Sequence, residues 1–90
     1  MTNRTNLTFT SPVFSPYDGV LFSAYGVGKG YNAFTLSIEA ACEKLGASDQ
    51  QSHQVLLAFK LNHQRIARAI DAKVLPKKGQ RVVLRPSDFA

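Results

Sequence analysis

The sequence predicts an α+β domain: a small antiparallel sheet of three or four strands packed against two consecutive helices, in the order β-β-β-α-α-β. Two runs rich in aromatic and aliphatic residues, joined by a glycine-rich connection, are typical of a hairpin between residues 20 and 36. Apolar residues then recur at helical spacing up to residue 74, and a Val-Val-Leu run near the C-terminus indicates one more strand. With no linker or internal repeat, residues 1–90 are expected to form a single domain.

The first 17 residues are expected to form an extended N-terminal arm that carries one short strand. Leu7-Thr8-Phe9-Thr10 alternates apolar and polar side chains, as a half-buried strand does. The run from Ser11 to Pro16 contains two prolines, which lack the N–H that a central strand must donate. In one arrangement, the arm lies across the domain and its apolar residues cover Leu57 and Leu61.

The predicted hairpin strands are Val20 to Tyr25 and Tyr31 to Leu36. In each strand, apolar residues occupy both alternating sets of positions, so both faces of the sheet carry apolar surface. We expect helices on one face and partial cover by the arm on the other. The connection from Gly26 to Gly30 lacks the Ser or Thr after Gly-Lys, and the following helix, that a phosphate-binding P-loop requires. A hairpin turn accounts for its glycines.

The first predicted helix begins at the N-cap Ser37 and continues through Leu45. Its apolar residues follow the i, i+3, i+4, i+7 pattern of a helix with one buried face. Gly46 is the residue type that commonly follows the last turn of a helix. A link of only Gly46 and Ala47 would make the next helix turn sharply or pack antiparallel to the first.

The second predicted helix is long and continuous, from Ser48 to Val74. Ser48 and Gln51 have the spacing of a capping box at its start. Pro76 disfavours helical geometry in the residue that precedes it, which ends the helix. The following run from Gln80 to Arg85 is expected to return to the sheet as the final strand, because a lone strand cannot satisfy its backbone groups.

Apolar residues of the long helix fall on two opposite sides at 100° per residue. The expected core stripe consists of Val55, Leu56, Phe59, Ile66 and Ile70. On the opposite side, the candidate partner-binding surface consists of Leu57, Lys60, Leu61, Arg65 and Arg68. Three interpretations of its two leucines stay open. The first helix or the arm covers them, a protein partner covers them, or they are ordinary exposed apolar residues.

The net charge of +5 is concentrated in the C-terminal third of the chain. Residues 60 to 85 hold eight Lys and Arg side chains against Asp71 alone. Such clustering suggests an anionic partner, but a solvated basic face is the favoured explanation, because +5 is modest and no nucleic-acid signature accompanies it. The candidate anion-binding residues are Lys77, Lys78, Arg81 and Arg85. Nucleic acid is not the favoured partner, because nearly all aromatic residues precede the basic cluster and do not interleave with it.

Few side chains suggest chemistry. Cys42 occupies a core position of the first helix, where cysteine acts as a small hydrophobe, and no third group is spaced to orient His53 or His63 as its base. The sequence therefore indicates no catalytic, metal or cofactor site. As the only cysteine, Cys42 cannot form an internal disulfide. No apolar run reaches the ~18 residues of a membrane span, and a cytoplasmic location is expected.

Several segments together are similar to one protein family. They are Asp18 to Ala24, Phe34 to Ala41, Ala58-Phe59 with Asn62, Arg65 and Ile66, the closing Val-Val-Leu strand, and Asp88-Phe89. From Asp18 onward, the chain resembles the small bacterial domain-of-unknown-function family 1488. The resemblance implies a small bacterial α+β protein without an assigned activity, and it assigns no catalytic or ligand-binding residue.

The sequence does not determine a biochemical activity. We expect a non-enzymatic bacterial interaction module, with a second copy as the simplest partner for Leu57 and Leu61. The alternative is a weak nucleic-acid-binding protein that uses the basic C-terminal third.

Overall fold

The structure, a computed structural model, describes residues 7–26, 30–73 and 80–89. Within them the chain forms a sheet, three α-helices and a 3-10 helix, which confirms the predicted α+β fold. In chain order the elements are β1 (Leu7–Phe9), β2 (Val13–Ser15), β3 (Gly19–Gly26), β4 (Gly30–Leu36), α1 (Ile38–Lys44), α2 (Ser52–Leu61), α3 (His63–Ala72), β5 (Val82–Leu84) and the 3-10 helix (Pro86–Phe89).

The sheet is mixed rather than antiparallel. Its strand order is β1-β3-β4-β5, and β2 also pairs with β3. All pairs are antiparallel except β4 with β5, which is parallel. The prediction of an all-antiparallel sheet was therefore wrong for the last strand. The helices return the chain to the end of the sheet where β4 begins, and a strand entering there runs in the same direction as β4.

The described part of the N-terminal arm joins the sheet instead of crossing the helices. Both of its strands pair antiparallel with β3, where the sequence predicted only one strand. Between them, the Thr10 N–H donates to the Ser23 carbonyl at 2.9 Å, and the Ser23 N–H donates to Thr10 Oγ1 at 2.8 Å. The proposed cover of Leu57 and Leu61 by this arm was wrong, because both side chains are exposed. Backbone pairing along β3 satisfies the N–H and C=O groups of the arm, which a path over a helix would leave unpaired.

The predicted long helix is interrupted at Asn62. This residue has φ −123° and ψ 28°, outside the helical range, and it separates α2 from α3. Its side-chain Nδ2 donates to the Ala58 carbonyl at 2.8 Å and to the Leu45 carbonyl at 3.1 Å. An Asn side chain that bonds nearby backbone carbonyls competes with the helical pattern. Here the second bond also ties the interruption to the end of α1.

The predicted capping box at Ser48 is also absent. The Ser48 hydroxyl donates to Gln54 Oε1 at 2.7 Å, and the Asp49 carboxylate accepts from the Gln51 N–H at 3.0 Å. Helix α2 therefore begins only at Ser52, and its N-cap residue Gln51 makes no side-chain cap. The link between α1 and α2 is accordingly longer than the predicted two residues.

The predictions for α1 are confirmed. The Ala40 N–H donates to Ser37 Oγ at 3.1 Å, which is the expected N-cap bond. Gly46 has a φ of +84°, the left-handed conformation expected just after the helix. Both features are set by residues within one turn of the helix ends, so the local sequence sufficed to predict them.

One hydrophobic core lies between the sheet and the helices. Its largest fully buried side chains are Val20, Phe34, Leu36, Val55, Phe59, Ile66, Ile70 and Leu84. Phe59 is at its centre, with its ring 4.8 Å from that of Phe22 and 5.9 Å from that of Phe9. The predicted core stripe is thus buried despite the interruption at Asn62, except that Leu56 is only partly buried.

A salt bridge joins the C-terminal 3-10 helix to the end of α3. Lys73 Nζ lies 2.8 Å from Asp88 Oδ1, and the Arg85 N–H donates to Asp88 Oδ2 at 2.8 Å. Partial burial by itself would raise the pKa of Asp88. The hydrogen bonds from Lys73 and Arg85 and their positive charges outweigh it, so that the pKa lies below its ordinary value.

A group with a lowered pKa in the folded state stabilises the fold above its unfolded pKa, here about 4. This stabilisation is lost as the pH falls through the folded pKa. We expect Asp88→Asn to reduce the free energy of unfolding by up to about 1 kcal/mol at neutral pH. The difference from the native chain should shrink as the pH falls below about 4 and vanish below the folded-state pKa, as measured by urea unfolding across the pH range. A constant difference down to pH 2 would contradict the role of this carboxylate.

Candidate functional site

The two leucines singled out in the sequence lie on the solvent side of α2. Leu57 is 41% exposed and Leu61 is 74% exposed, while Val55 and Phe59 on the opposite side are fully buried. Lys60 is exposed between them. These three residues, Leu57, Lys60 and Leu61, form what we call the leucine ridge. Because the ridge is one helical turn long, it offers a small apolar contact with a cation at its centre.

Arg65 and Arg68, predicted on the same surface, belong to α3. Arg65 Nη1 donates to the Lys44 carbonyl at 2.7 Å, at the C-terminal end of α1. Together with Asp88 and Phe89, both arginines line a cleft of about 310 Å³. The interruption at Asn62 places the two leucines on α2 and the two arginines on α3. The predicted surface is therefore split, and the arginines line a cleft of their own.

Of the four predicted anion-binding residues, the structure describes Arg81 and Arg85. Lys77 and Lys78 lie outside the described residues. Arg81 Nη1 donates to the Phe34 carbonyl at 2.6 Å and approaches Thr35 Oγ1 at 3.5 Å, so its guanidinium is anchored on β4. Arg85 is exposed beside Asp88. Arg81 and Arg85 thus each have a structural contact in addition to their charge.

A larger exposed surface was not predicted as a site. The side of the sheet that faces away from the helices is what we call the outer sheet face. Its residues are Thr8, Val13, Leu21, Ser23, Tyr25, Tyr31, Ala33, Thr35 and Val83. Four of these are large and exposed, namely Val13 (61%), Tyr25 (44%), Tyr31 (64%) and Val83 (36%), whereas Thr35 is buried. Apolar residues at both alternating positions of the hairpin strands were the sequence signal for this surface. The expected partial cover by the arm is not provided by its described part, because residues 7–15 lie within the sheet; residues 1–6 lie outside the described residues.

A second cleft, of about 360 Å³, lies between β1 and α3. It is lined by Leu7, Phe9, His63, Gln64 and Ala67. The His63 ring packs edge-on against Phe9 and Phe59, with centroids 4.8 and 4.9 Å apart. Partial burial lowers the pKa of His63, which favours the neutral imidazole at pH 7. These lining residues bring it neither a carboxylate nor a thiol, so they provide no nucleophile–base pair.

Cys42 packs against the core, and its Sγ lies 3.6 Å from the Asp49 carbonyl oxygen. This position agrees with its interpretation as a small hydrophobe in α1. Across the described parts of the chain, no three His, Cys, Asp or Glu side chains are grouped so that they could hold a metal ion. In the same residues, every helix is too short or too polar to span a membrane.

Comparison of the chain with protein-family models, curated proteins and solved structures found no match. The resemblance to family 1488 therefore stays a prediction. The candidate sites are accordingly defined by geometry alone: the leucine ridge, the outer sheet face and the two clefts.

Proposed function

We propose that this protein is a non-enzymatic interaction module that self-associates through the leucine ridge. The observation that carries the proposal is the exposure of Leu57 and Leu61 on one side of a well-packed helix. Leucine side chains one turn apart provide a continuous apolar strip, and removing it from water on association is favourable. A bacterial origin and a cytoplasmic location belong to the same proposal, supported by the resemblance to family 1488 and by the single cysteine.

Charge along α2 favours a second copy that packs antiparallel. Asp49 lies just before the N-terminal end of α2, whereas Lys60 lies in its last turn and Arg65 follows. In an antiparallel two-fold pairing, the end of α2 that carries Asp49 faces the end of the partner's helix that carries Lys60. Opposite charges then meet at both ends of the contact, and the antiparallel helix dipoles are also favourably arranged.

We expect this association to be weak. A stable interface of standard size buries about 800 Å² on each partner, which is about one seventh of the 5605 Å² exposed by this chain. Two leucines and their surroundings cover much less. Interfaces below the standard size are typical of transient complexes, so dimers should form at high micromolar concentration or above.

The double variant Leu57→Gln/Leu61→Gln is expected to abolish self-association while leaving the fold intact. Glutamine is a good helix former and adds no charge, so only the apolar strip is removed. Sedimentation equilibrium from about 10 μM to 1 mM should show the native mass rising with concentration and the variant remaining a monomer.

Val13→Thr is the matched control, because Val13 is an exposed aliphatic residue on the other side of the domain. It should dimerise as the native chain does. A native chain that stays monomeric across this concentration range would overturn the proposal. So would a dimer that survives the double variant.

Nucleic-acid binding remains a second candidate function. The observation that favours it is the position of Arg81, whose guanidinium the fold brings to the outer sheet face, which also carries two exposed tyrosines. The sequence argument against nucleic acid was that aromatic and basic residues are far apart along the chain. The strand order removes that objection for these residues.

A further inference from the structure

The outer sheet face has two rows of larger side chains with small ones between them. The strand register places Val13, Leu21, Thr35 and Val83 in one row across the sheet. Thr8, Tyr25 and Tyr31 form the other row, four residues further along β3. Ser23 and Ala33 occupy the row between. At about 3.4 Å per residue the outer rows are roughly 14 Å apart, and we call the strip of surface from one row to the other the track.

Tyr25 and Tyr31 form an exposed aromatic pair at one end of this track. They are direct cross-strand partners, with ring centroids 5.8 Å apart and an angle of 14° between the planes. In such a stack each ring covers one face of the other and leaves its second face to solvent. Tyr31, at 64% exposure, therefore offers an open π-face that is held in place by its neighbour.

The guanidinium of Arg81 is a cation that lies beside the track, next to β5. Arg81 directly precedes β5, and its Nη1 contacts with the Phe34 carbonyl and Thr35 Oγ1 hold the guanidinium against β4. A guanidinium has five N–H donors, so donors remain for a phosphate oxygen. Because the head group is already anchored, less side-chain entropy is lost when an anion binds.

The charge of this face favours an anionic partner over a second copy. Among the strand residues that the structure describes on this face, none is Asp or Glu, and the chain as a whole carries +5. Glu39 and Glu43 of α1 border only the Val83 end, where they line a pocket with Arg85. If two copies stacked through this face, Arg81 and the net positive charge of one copy would face the same charges of the other. A single-stranded nucleic acid supplies what the face lacks, namely negative charge and planar bases that stack on aromatic rings.

We propose that the outer sheet face binds single-stranded nucleic acid, with a base stacked on Tyr31 and a phosphate bound by Arg81. The track has room for about two or three nucleotides, the number that an aromatic-bearing sheet typically accommodates. Duplexes are poor ligands of this face, because their bases are already stacked and paired. The proposal rests on the second candidate function, nucleic-acid binding, and is independent of the leucine ridge, which lies on a helix at the other side of the sheet.

The decisive variant is Tyr31→Leu, which removes the ring but keeps an apolar side chain. We expect it to weaken binding of fluorescein-labelled dT10 and U10 about tenfold in fluorescence anisotropy titrations. Tyr31→Phe, which retains the π-face, should bind as the native chain does. Because the chain has three tyrosines and no tryptophan, quenching of tyrosine fluorescence by dT10 directly reports stacking.

Tyr17→Leu is the matched control, since Tyr17 is 93% exposed but lies in the turn before β3. It should leave affinity unchanged. Raising salt from about 50 to 200 mM should weaken binding of all variants through the phosphate contact, while the ratio between native and Tyr31→Leu persists. Comparing dT10 with U10 then shows whether the ribose 2′-hydroxyl contributes.

Three results would overturn the proposal. One is the absence of binding to both oligonucleotides at the lower salt concentration. Another is equal binding of duplex and single strand with no effect of Tyr31→Leu, which assigns binding to general basicity. The third is a native dimer that Tyr31→Leu converts to a monomer, which makes the face an interface between copies. None of these results depends on the leucine ridge, because Leu57→Gln/Leu61→Gln is tested separately.

Discussion

Replacing Gly19 by alanine is expected to lower the free energy of unfolding by about 3 kcal/mol or more. Gly19 is buried at the start of β3, and its φ of +120° lies in a region that other residues rarely adopt. A Cβ at this position would also overlap the Leu36 carbonyl oxygen and crowd the Ile38 backbone nitrogen. Both obstacles are backbone atoms at the junction of β4 and α1, which cannot rotate away.

The measurement is urea or thermal unfolding, where a loss of this size corresponds to a fall in melting temperature of more than about 12 °C. Gly30→Ala is the control. Gly30 also has a positive φ, +72°, but among the described residues no neighbouring atom lies within 4 Å of the place that an alanine methyl group would occupy. It should cost only about 1 kcal/mol. Equal losses for the two variants would show that crowding at Gly19 contributes nothing.

Phe59→Ala is expected to destabilise the fold by about 3–5 kcal/mol. The Phe59 ring is fully buried and contacts the rings of Phe9, Phe22 and His63. Removing it leaves a cavity where α2, β1 and β3 meet, and the aromatic neighbours lose their contacts. Since a small domain has a total stability of about 5–15 kcal/mol, the variant should be marginally folded at physiological temperature.

Leu57→Ala, two residues earlier on the same helix, is the control for Phe59→Ala. Leu57 is exposed, and alanine has the higher helix propensity, so the free energy of unfolding should change by less than about 0.5 kcal/mol. Circular dichroism and urea unfolding separate the two variants. A loss below about 1.5 kcal/mol for Phe59→Ala would indicate that the aromatic cluster is loosely packed.

These stability variants also show which positions suit the functional tests. Leu57, Leu61 and Tyr31 are exposed, so their polar or aliphatic replacements should leave the core unchanged. A loss of dimerisation or of oligonucleotide binding can then be attributed to the surface. Arg81 is less suitable for a first test, because its contacts with Phe34 and Thr35 also hold β5 beside β4.

Local sequence signals were sufficient for β3, β4 and α1. Runs rich in aromatic and aliphatic residues predicted the hairpin strands, and Ser37 and Gly46 predicted the ends of α1. Each of these signals acts within a few residues. The core stripe of the long helical region was also predictable, since Val55, Phe59, Ile66 and Ile70 are all buried.

Part of the candidate site was predictable for the same reason. Helical spacing placed Leu57 and Leu61 opposite the core stripe, and both are exposed. The outer sheet face was visible only as a surplus of apolar residues in the hairpin strands. Its Tyr31 and Arg81 are 50 positions apart in the sequence, and only the pairing of β5 with β4 brings them to one face.

By itself, the sequence determined which residues are apolar on which side of each strand and helix, because that depends on the 2- and 3.6-residue periods of the local backbone. The tertiary structure decided the break at Asn62, the direction of β5 and the position of the arm. Each depends on backbone groups distant in sequence: the Leu45 carbonyl bonded by Asn62, the edge of β4 that receives β5, and the edge of β3 that pairs with the arm. Such partners become available only when the chain has folded.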